Sequence, residues 1–230
     1  MIEFLSDSAY FSIALSIIAY KFGIIVKNKL KFAIFNPLLV ASVVVIVFLL
    51  ATGIPYEAYE LHASKLSYLL TPATVCLAIP LYEQFELLKE NKKAIAIGIL
   101  SGIMANLIGV FVLALLFGLN HEQYVTLLPK SITTAIGIGV SEELGGIATI
   151  TAVAIIITGV LGNIIVEFVC KVCKIEDPIA KGLACGTSAH AIGTAKAIEM
   201  GELEGAVSGL AIAVTGVLTV VFVSFFVNLI

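Results

Sequence analysis

The sequence contains no arginine and has few charges of any kind. All 13 of its basic residues are lysines, charged residues make up 13% of the 230 positions, and the net charge is -3. A planar guanidinium, the usual bidentate clamp for a carboxylate or phosphate, is therefore missing. The absence of a basic tail makes nucleic acid an implausible partner. Hydrophobic residues instead supply 60% of the chain, which is typical of an integral membrane protein.

Sequence motifs for catalysis are also missing. The chain has no nucleotide-binding loop, metalloprotease motif or serine-triad pattern, and its polar loops are short. We therefore expect neither an enzyme nor a cofactor. Cys170 and Cys173 form a lone CxxC pair without a second pair or a nearby histidine, so we expect no metal site there.

Long apolar runs predict about six membrane crossings. A bilayer core of about 30 Å requires a helix of about 20 apolar residues. Four runs are clear and two are weaker; they lie at 32–54, 94–119, 147–166 and 205–230, and at 8–20 and 66–82. We predict an all-α polytopic protein of the plasma membrane, with residues 1–230 forming a single transmembrane domain. Its N-terminal half, 1–118, would hold four helices, and 119–230 would form the C-terminal half.

The distribution of lysines predicts the orientation in the membrane. Lysines concentrate at 21–31, 89–93 and 171–181, and such clusters mark cytoplasmic loops. Residues 119–130 and the N-terminus then lie outside. An odd number of crossings must separate 119–130 from 171–181, and one long apolar run is available. The segment 131–146 must therefore enter and leave on the same side, or be a broken helix packed within the protein.

The C-terminal half contains a possible internal repeat. AIG occurs at 135–137 and 191–193, and TGVL at 158–161 and 215–218. The repeated units, 129–170 and 184–230, each combine a polar, glycine-spaced segment with an apolar helix. If both polar segments are re-entrant, the units form an inverted repeat, as in secondary transporters whose broken helices aim their N-termini at an anion. The alternative is that two Gly/Ala-rich segments match by composition alone.

The polar segments supply the candidate site residues. Irregular backbone at membrane depth survives where it is buried in protein or lines a wet cavity. The candidate substrate-binding residues are Thr133, Thr134, Ser141, Thr187, Ser188, His190, Thr194 and Lys196, and the candidate proton-coupling residues are Glu142, Glu143 and His190. The alternatives are that the hydroxyls and glycines serve helix packing, that Lys196 and Glu199 form a plain helical ion pair, and that Glu142 and Glu143 face water.

Prolines and glycines predict helix interruptions. Proline removes a backbone donor and frees a carbonyl one turn earlier. The predicted breaks are Asn36, Pro37, Pro72, Pro80, Gly137, Gly186 and Gly193. Proline kinks also occur in membrane helices for purely geometric reasons, and that alternative stays open.

Four blocks of sequence resemble a known family. They are NPLL at 36–39, LLTPATVCLAIPLY at 69–82, PKSITTAIGIGVSEELGGIATITA at 129–152 and GTSAHAIGTAKAIEMGELEGAVSGLA at 186–211. They are similar to the LrgB/CidB family of antiholin-like membrane proteins, whose plastid relatives move glycolate and glycerate. The resemblance implies a polytopic helical protein, a possible small membrane partner of the LrgA/CidA type, and a homo-oligomer.

Two functions follow as expectations. The first is a secondary carrier or exporter of small monocarboxylates such as glycolate, glycerate or pyruvate. The second is an antiholin-like regulator of murein hydrolase export and cell lysis. A channel is a third, weaker possibility, and it would use the same residues as the carrier.

Overall fold

A computed structural model describes residues 8–30, 35, 37–69, 72, 76 and 78–230. Within these residues the secondary structure is helical and contains no strand. The chain divides into two compact units, Met1–Cys76 and Leu77–Ile230. Four helices are long and apolar enough to cross a membrane: Tyr10–Leu30, Lys92–Phe117, Ala148–Val172 and Glu202–Leu229. The prediction of an all-α polytopic membrane protein is confirmed, whereas the orientation of its N-terminus stays a prediction.

The first unit consists of helices α1 (Ala9–Leu30), α2 (Pro37–Thr52) and α3 (Tyr56–Ala63), followed by a 3-10 helix at Ser64–Leu69. The Ser16 and Tyr59 hydroxyls, 2.7 Å apart, join α1 to α3. Helix α1 does not end at residue 20, as the apolar run suggested, but continues to Leu30. Lysine is a good helix former and its long stem packs along apolar surface, so the lysines at 21, 27 and 29 extend the helix rather than begin a loop.

The second unit contains the remaining helices. They are α4 (Ala78–Glu83), α5 (Phe85–Glu90), α6 (Lys92–Phe117), α7 (His121–Leu127), α8 (Thr134–Glu143), α9 (Ala148–Val172), α10 (Pro178–Met200) and α11 (Glu202–Phe226), with a final 3-10 turn at Val227–Leu229. Helix α6 buries a stripe of residues spaced four apart, including Ile95, Ile99, Ile103 and Leu107. Its other faces expose large apolar side chains such as Leu113 and Leu116, as expected of a helix that contacts lipid.

The predicted proline breaks have different outcomes. Asn36 lies outside the described residues, as do residues 70, 71 and 73–75 around Pro72. Pro37 is the first residue of α2. Pro80 lies in α4, and residue 77, just before that helix, is outside the described residues. The first turn of a helix has no intrahelical use for the backbone N–H that proline lacks. Pro37 therefore begins a helix and does not interrupt one, whereas the helix break at Pro80 stays a prediction.

Candidate functional site

Helices α7 and α8 form a hairpin that enters and leaves on one side of the unit. The Thr151 hydroxyl donates to the Thr126 carbonyl at 2.8 Å and lies 2.6 Å from the Ser141 hydroxyl. It thereby joins α7 and α8 to the start of α9. Closer to the connecting loop, the two sides of the hairpin are in contact, since a Cβ placed on Gly137 would lie 3.2 Å from the Pro129 carbonyl oxygen. We call residues 121–143 hairpin 1, and its tip is the loop 128–133.

Helix α10 is a second hairpin, folded at His190. The backbone of His190 has φ 42° and ψ -137°, which interrupts the helix. A methyl group on Gly193 would collide with the Cys185 carbonyl oxygen, although eight residues span about 12 Å in a straight helix. Met200 and Lys181 also line one pocket, so the chain returns to the side from which it came. We call residues 178–200 hairpin 2; its halves are 178–189 and 191–200.

The two hairpins enter from opposite sides. Hairpin 1 lies between the end of α6 and the start of α9, and hairpin 2 lies between the end of α9 and the start of α11. Helix α9 is the one long helix that connects them along the chain. This arrangement agrees with the sequence prediction that one crossing separates the two polar segments, and the inverted repeat itself stays a prediction.

The first turn of α8, directly after the tip of hairpin 1, and the tip of hairpin 2 contact the same residue of α9. A Cβ on Gly137 would lie 2.5 Å from the Ile155 Cδ1 atom. The Ile155 carbonyl oxygen, in turn, lies 2.9 Å from Nε2 of His190. Helix α11 joins this contact region, since a Cβ on Gly216 would lie 3.0 Å from Ile136 of hairpin 1. The tips therefore lie at the same depth in the unit.

His190 makes the sharp turn of hairpin 2. A positive φ is uncommon for a residue with a side chain and stores strain that the surrounding packing must hold. The imidazole is 3% exposed. Because a carbonyl oxygen can only accept, Nε2 carries the hydrogen that bonds to Ile155. Nδ1 is therefore the nitrogen at which the ring gains or loses its titrating proton.

The prediction that glycines interrupt these helices is wrong. Gly137, Gly186 and Gly193 all lie inside helical segments, and the break in α10 falls on His190 instead. The glycines allow close helix contact: a Cβ on Gly186 would lie 2.6 Å from the Ser208 carbonyl oxygen of α11. Small residues in membrane proteins commonly have this packing role.

Thr187 and Ser188 do not begin a helix, as the sequence had suggested. They end the first half of hairpin 2, and the second half starts after His190. The Thr187 hydroxyl donates to the Leu183 carbonyl at 2.8 Å, and Ser188 donates to the Ala184 carbonyl. Both hydroxyl hydrogens are thus used within their own helix and are not offered to a ligand.

Other predicted site residues bond to side chains of the protein. The Thr194 and Ser208 hydroxyls are 2.7 Å apart and join hairpin 2 to α11. Lys196 lies 2.7 Å from Glu167 and 3.3 Å from Glu199. Ser141 bonds to Thr151, as described above. Ser141, Thr194 and Lys196 thus have partners within the protein, as the packing and ion-pair alternatives predict.

Glu142 and Glu143 are exposed at the end of α8, on the side where hairpin 1 enters. The tip of the hairpin lies at the opposite end of that helix. Their position agrees with the alternative that these carboxylates face water.

Thr133 and Thr134 are the predicted residues that lie at the hairpin 1 tip. Thr133 precedes α8, but its side chain does not cap the helix, and the first turn contains no acidic residue. Both threonines are half-buried. The N-terminal N–H groups of α8 therefore lack a side-chain acceptor among the described residues, and they carry the positive end of the helix dipole.

The prediction missed a polar cluster built around Lys130. Its amine donates to Asn106 Oδ1 at 2.6 Å and to Ser131 Oγ at 3.1 Å, and Ser131 donates to the same Asn106 oxygen at 2.9 Å. Asn106 lies midway along α6. One signal was available: Lys130 is the only lysine between residues 94 and 170. It had been assigned to the outer loop, although it reaches the middle of a membrane helix.

Comparison with known proteins places the chain in a family. Residues 16–229 match the model of the LrgB-like family. The chain is 41% identical over 218 residues to the Antiholin-like protein LrgB of Bacillus cereus strain B4264 and to that of Bacillus anthracis strain A0248. The alignments cover 94% of this chain and 95% of each relative. No solved structure matches. The resemblance seen in the sequence is thereby confirmed, and the chain belongs to the LrgB-like family of membrane proteins.

Proposed function

We propose that the chain is a secondary carrier of small monocarboxylates such as glycolate, glycerate or pyruvate. The observation that supports this most is the meeting of two oppositely directed hairpins on Ile155. Transporters with inverted repeats bind their substrates where interrupted helices meet near the membrane midplane. A protein that needed only to fill the bilayer would have no use for two helix interruptions at that depth.

The hairpin tips offer groups suited to a carboxylate. The second halves of both hairpins begin at the tips, so the positive ends of two helix dipoles lie there. Thr133 and Thr134 add hydroxyls, and His190 adds an imidazole that can carry a positive charge when protonated. Thr215 of α11 is 2% exposed, and its hydroxyl has no partner among the described residues. It neighbours Gly216, which contacts hairpin 1.

A second candidate is an antiholin-like regulator of murein hydrolase export and lysis. The names of the relatives favour this role more directly than they favour transport. Such a regulator would act through assembly with itself or with a small membrane partner of the LrgA/CidA type. It would not require the two tips to recognise a small anion.

Counterflow in proteoliposomes separates these roles. The purified protein is reconstituted, the vesicles are loaded with unlabelled glycolate, glycerate or pyruvate, and entry of the labelled acid is followed. A carrier gives saturable entry that rises with internal substrate. Protein-free vesicles provide the control for leak. Entry that ignores internal substrate indicates a channel, and entry equal to the leak for every acid rejects the transport proposal in favour of the regulator.

A further inference from the structure

We propose that Lys130, held by Asn106 and Ser131, is the positive charge that pairs with the carboxylate of a single monoanion at the tip of hairpin 1. The proposal rests on the carrier function above and names the residue that recognises the charge of the substrate.

The hydrogen bonds around Lys130 leave one donor for a ligand. An ammonium group has three N–H bonds. Two of them are directed at neutral oxygens, Asn106 Oδ1 and Ser131 Oγ. Because Ser131 also donates to Asn106, each oxygen is fixed in position, and the amine is held in one place. The third N–H can then approach a carboxylate without rearrangement, which favours tight binding.

The charge of Lys130 has no partner in the described part of the chain. No described carboxylate oxygen lies within 4.0 Å of its amine. Lys196, in contrast, lies within that distance of Glu167 and Glu199. A partly buried charge without a counter-ion destabilises a membrane protein, and ionisable groups at such depth are usually functional. An anionic substrate would supply the missing charge.

The surroundings of Lys130 reinforce the preference for an anion. The amine belongs to the loop 128–133, directly before the uncapped start of α8. That helix start also attracts negative charge. One lysine balances one carboxylate, so a dicarboxylate would bring a second charge with no partner. We therefore expect monocarboxylates to bind more tightly than dicarboxylates of similar size.

Thermal unfolding of the purified protein in detergent tests the inference without relying on transport. Melting is followed with increasing pyruvate, glycolate, succinate or chloride for the unaltered protein and for Lys130→Met, Lys130→Gln and Lys196→Met. The two monocarboxylates should raise the melting temperature of the unaltered protein. Both Lys130 variants should lose this shift, with the apparent Kd raised at least about 10-fold, as for a lost bond to a charged group. Lys196→Met is the matched control and should keep the shift.

The melting temperatures measured without added anion provide a second test. Without added anion, the Lys130 variants should melt at the same temperature as the unaltered protein or higher, because each removes an unpaired charge. Lys196→Met should melt at the same temperature or slightly lower, since it removes ion pairs to Glu167 and Glu199, whose carboxylates are largely exposed. A structural lysine would give the reverse result for Lys130. Variants of Lys130 that fail to fold, or that melt lower, therefore overturn the inference.

The outcome also separates this inference from the carrier function. If the unaltered protein shows counterflow but the Lys130 variants bind pyruvate normally, the inference is wrong and the carrier function stands. If binding depends on Lys130 but counterflow is absent, the anion site stands and the carrier function fails. No stabilisation of the unaltered protein by either monocarboxylate rejects the inference.

Discussion

The two hairpins share a topology but differ in chemistry at their tips. Hairpin 1 turns through a loop, 128–133, that contains Lys130 and precedes an uncapped helix start. Hairpin 2 turns at one residue, His190, and the hydroxyls just before it bond to their own helix. In the proposed carrier, hairpin 1 would recognise charge, while hairpin 2 supplies a tight turn and an imidazole ring. Two hairpins of similar topology therefore need not form equivalent half-sites.

Packing explains why only hairpin 2 turns so tightly. Its halves are pressed together by small residues and lie against Gly159 and Gly162 of α9, where a Cβ would meet His190 and Ala189. Asn163 of α9 donates to the Ile192 carbonyl at 2.9 Å, just beyond the turn. Hairpin 1 packs its tip against Asn106 of α6 through side chains instead. The turn of hairpin 1 is therefore spread over several residues instead of one.

The largest effect should come from removing the close packing of hairpin 2. A side chain at position 162 must collide with Ala189, so we expect Gly162→Leu to destabilise the protein by about 3 kcal/mol, the upper part of the usual range for overpacking. The measurement is the melting temperature together with the yield of folded protein. Gly109→Leu is the matched control, because nothing lies within 4 Å of a Cβ there. Equal stability of the two variants would show that hairpin 2 does not pack closely against α9.

The next effect distinguishes the two threonines that the repeat treats as equivalent. Thr134 lies at the uncapped start of α8, so Thr134→Val should weaken substrate binding by about 1 to 3 kcal/mol, as for a lost bond to a charged group. Thr187 already donates to Leu183, and Thr187→Val should change binding by less than about 1 kcal/mol. Apparent affinities from the pyruvate titration test both. Equal losses would restore the symmetric site that the sequence suggested, and no loss in either variant would limit both threonines to packing.

The smallest effect on affinity should come from the ring of His190, where the change appears in pH dependence. Glycine adopts a positive φ readily, so His190→Gly keeps the turn and removes the imidazole. A substrate carboxylate favours the charged ring, so binding to the unaltered protein should take up a proton and weaken as pH rises. The variant should bind with little dependence on pH. An unchanged pH profile would give His190 a packing role and leave Glu142 and Glu143 as the next proton-coupling candidates.

Much of the fold could be predicted from the sequence because hydropathy is local. The long helices α6, α9 and α11 follow the apolar runs at 94–119, 147–166 and 205–230. The prediction of re-entrant segments came from counting crossings. The lysine pattern requires an odd number of crossings between 119–130 and 171–181, and one apolar run is available there. The first argument uses the composition of short stretches of sequence, and the second uses the number of lysines between those stretches. Neither requires knowledge of which residues touch.

The site was predicted less well because its residues are defined by contacts. Glycine was the natural residue at which to place a helix break, yet the break falls on His190, whose positive φ is held by packing against Ile155 and Gly159. Thr187 and Ser188 were read as donors to a ligand, and no local signal tells a free hydroxyl from one bonded to its own helix.

The position of Lys130 shows most clearly what could not be predicted from the sequence. The sequence alone determined that the chain has one lysine between residues 94 and 170 and no arginine to bind an anion. Only the tertiary structure decided that this lysine belongs at the tip of a hairpin, bonded to Asn106 24 residues earlier. The reason is physical: the cost of a charge depends on the dielectric and the partners around it. Those are fixed by how helices distant in sequence pack together.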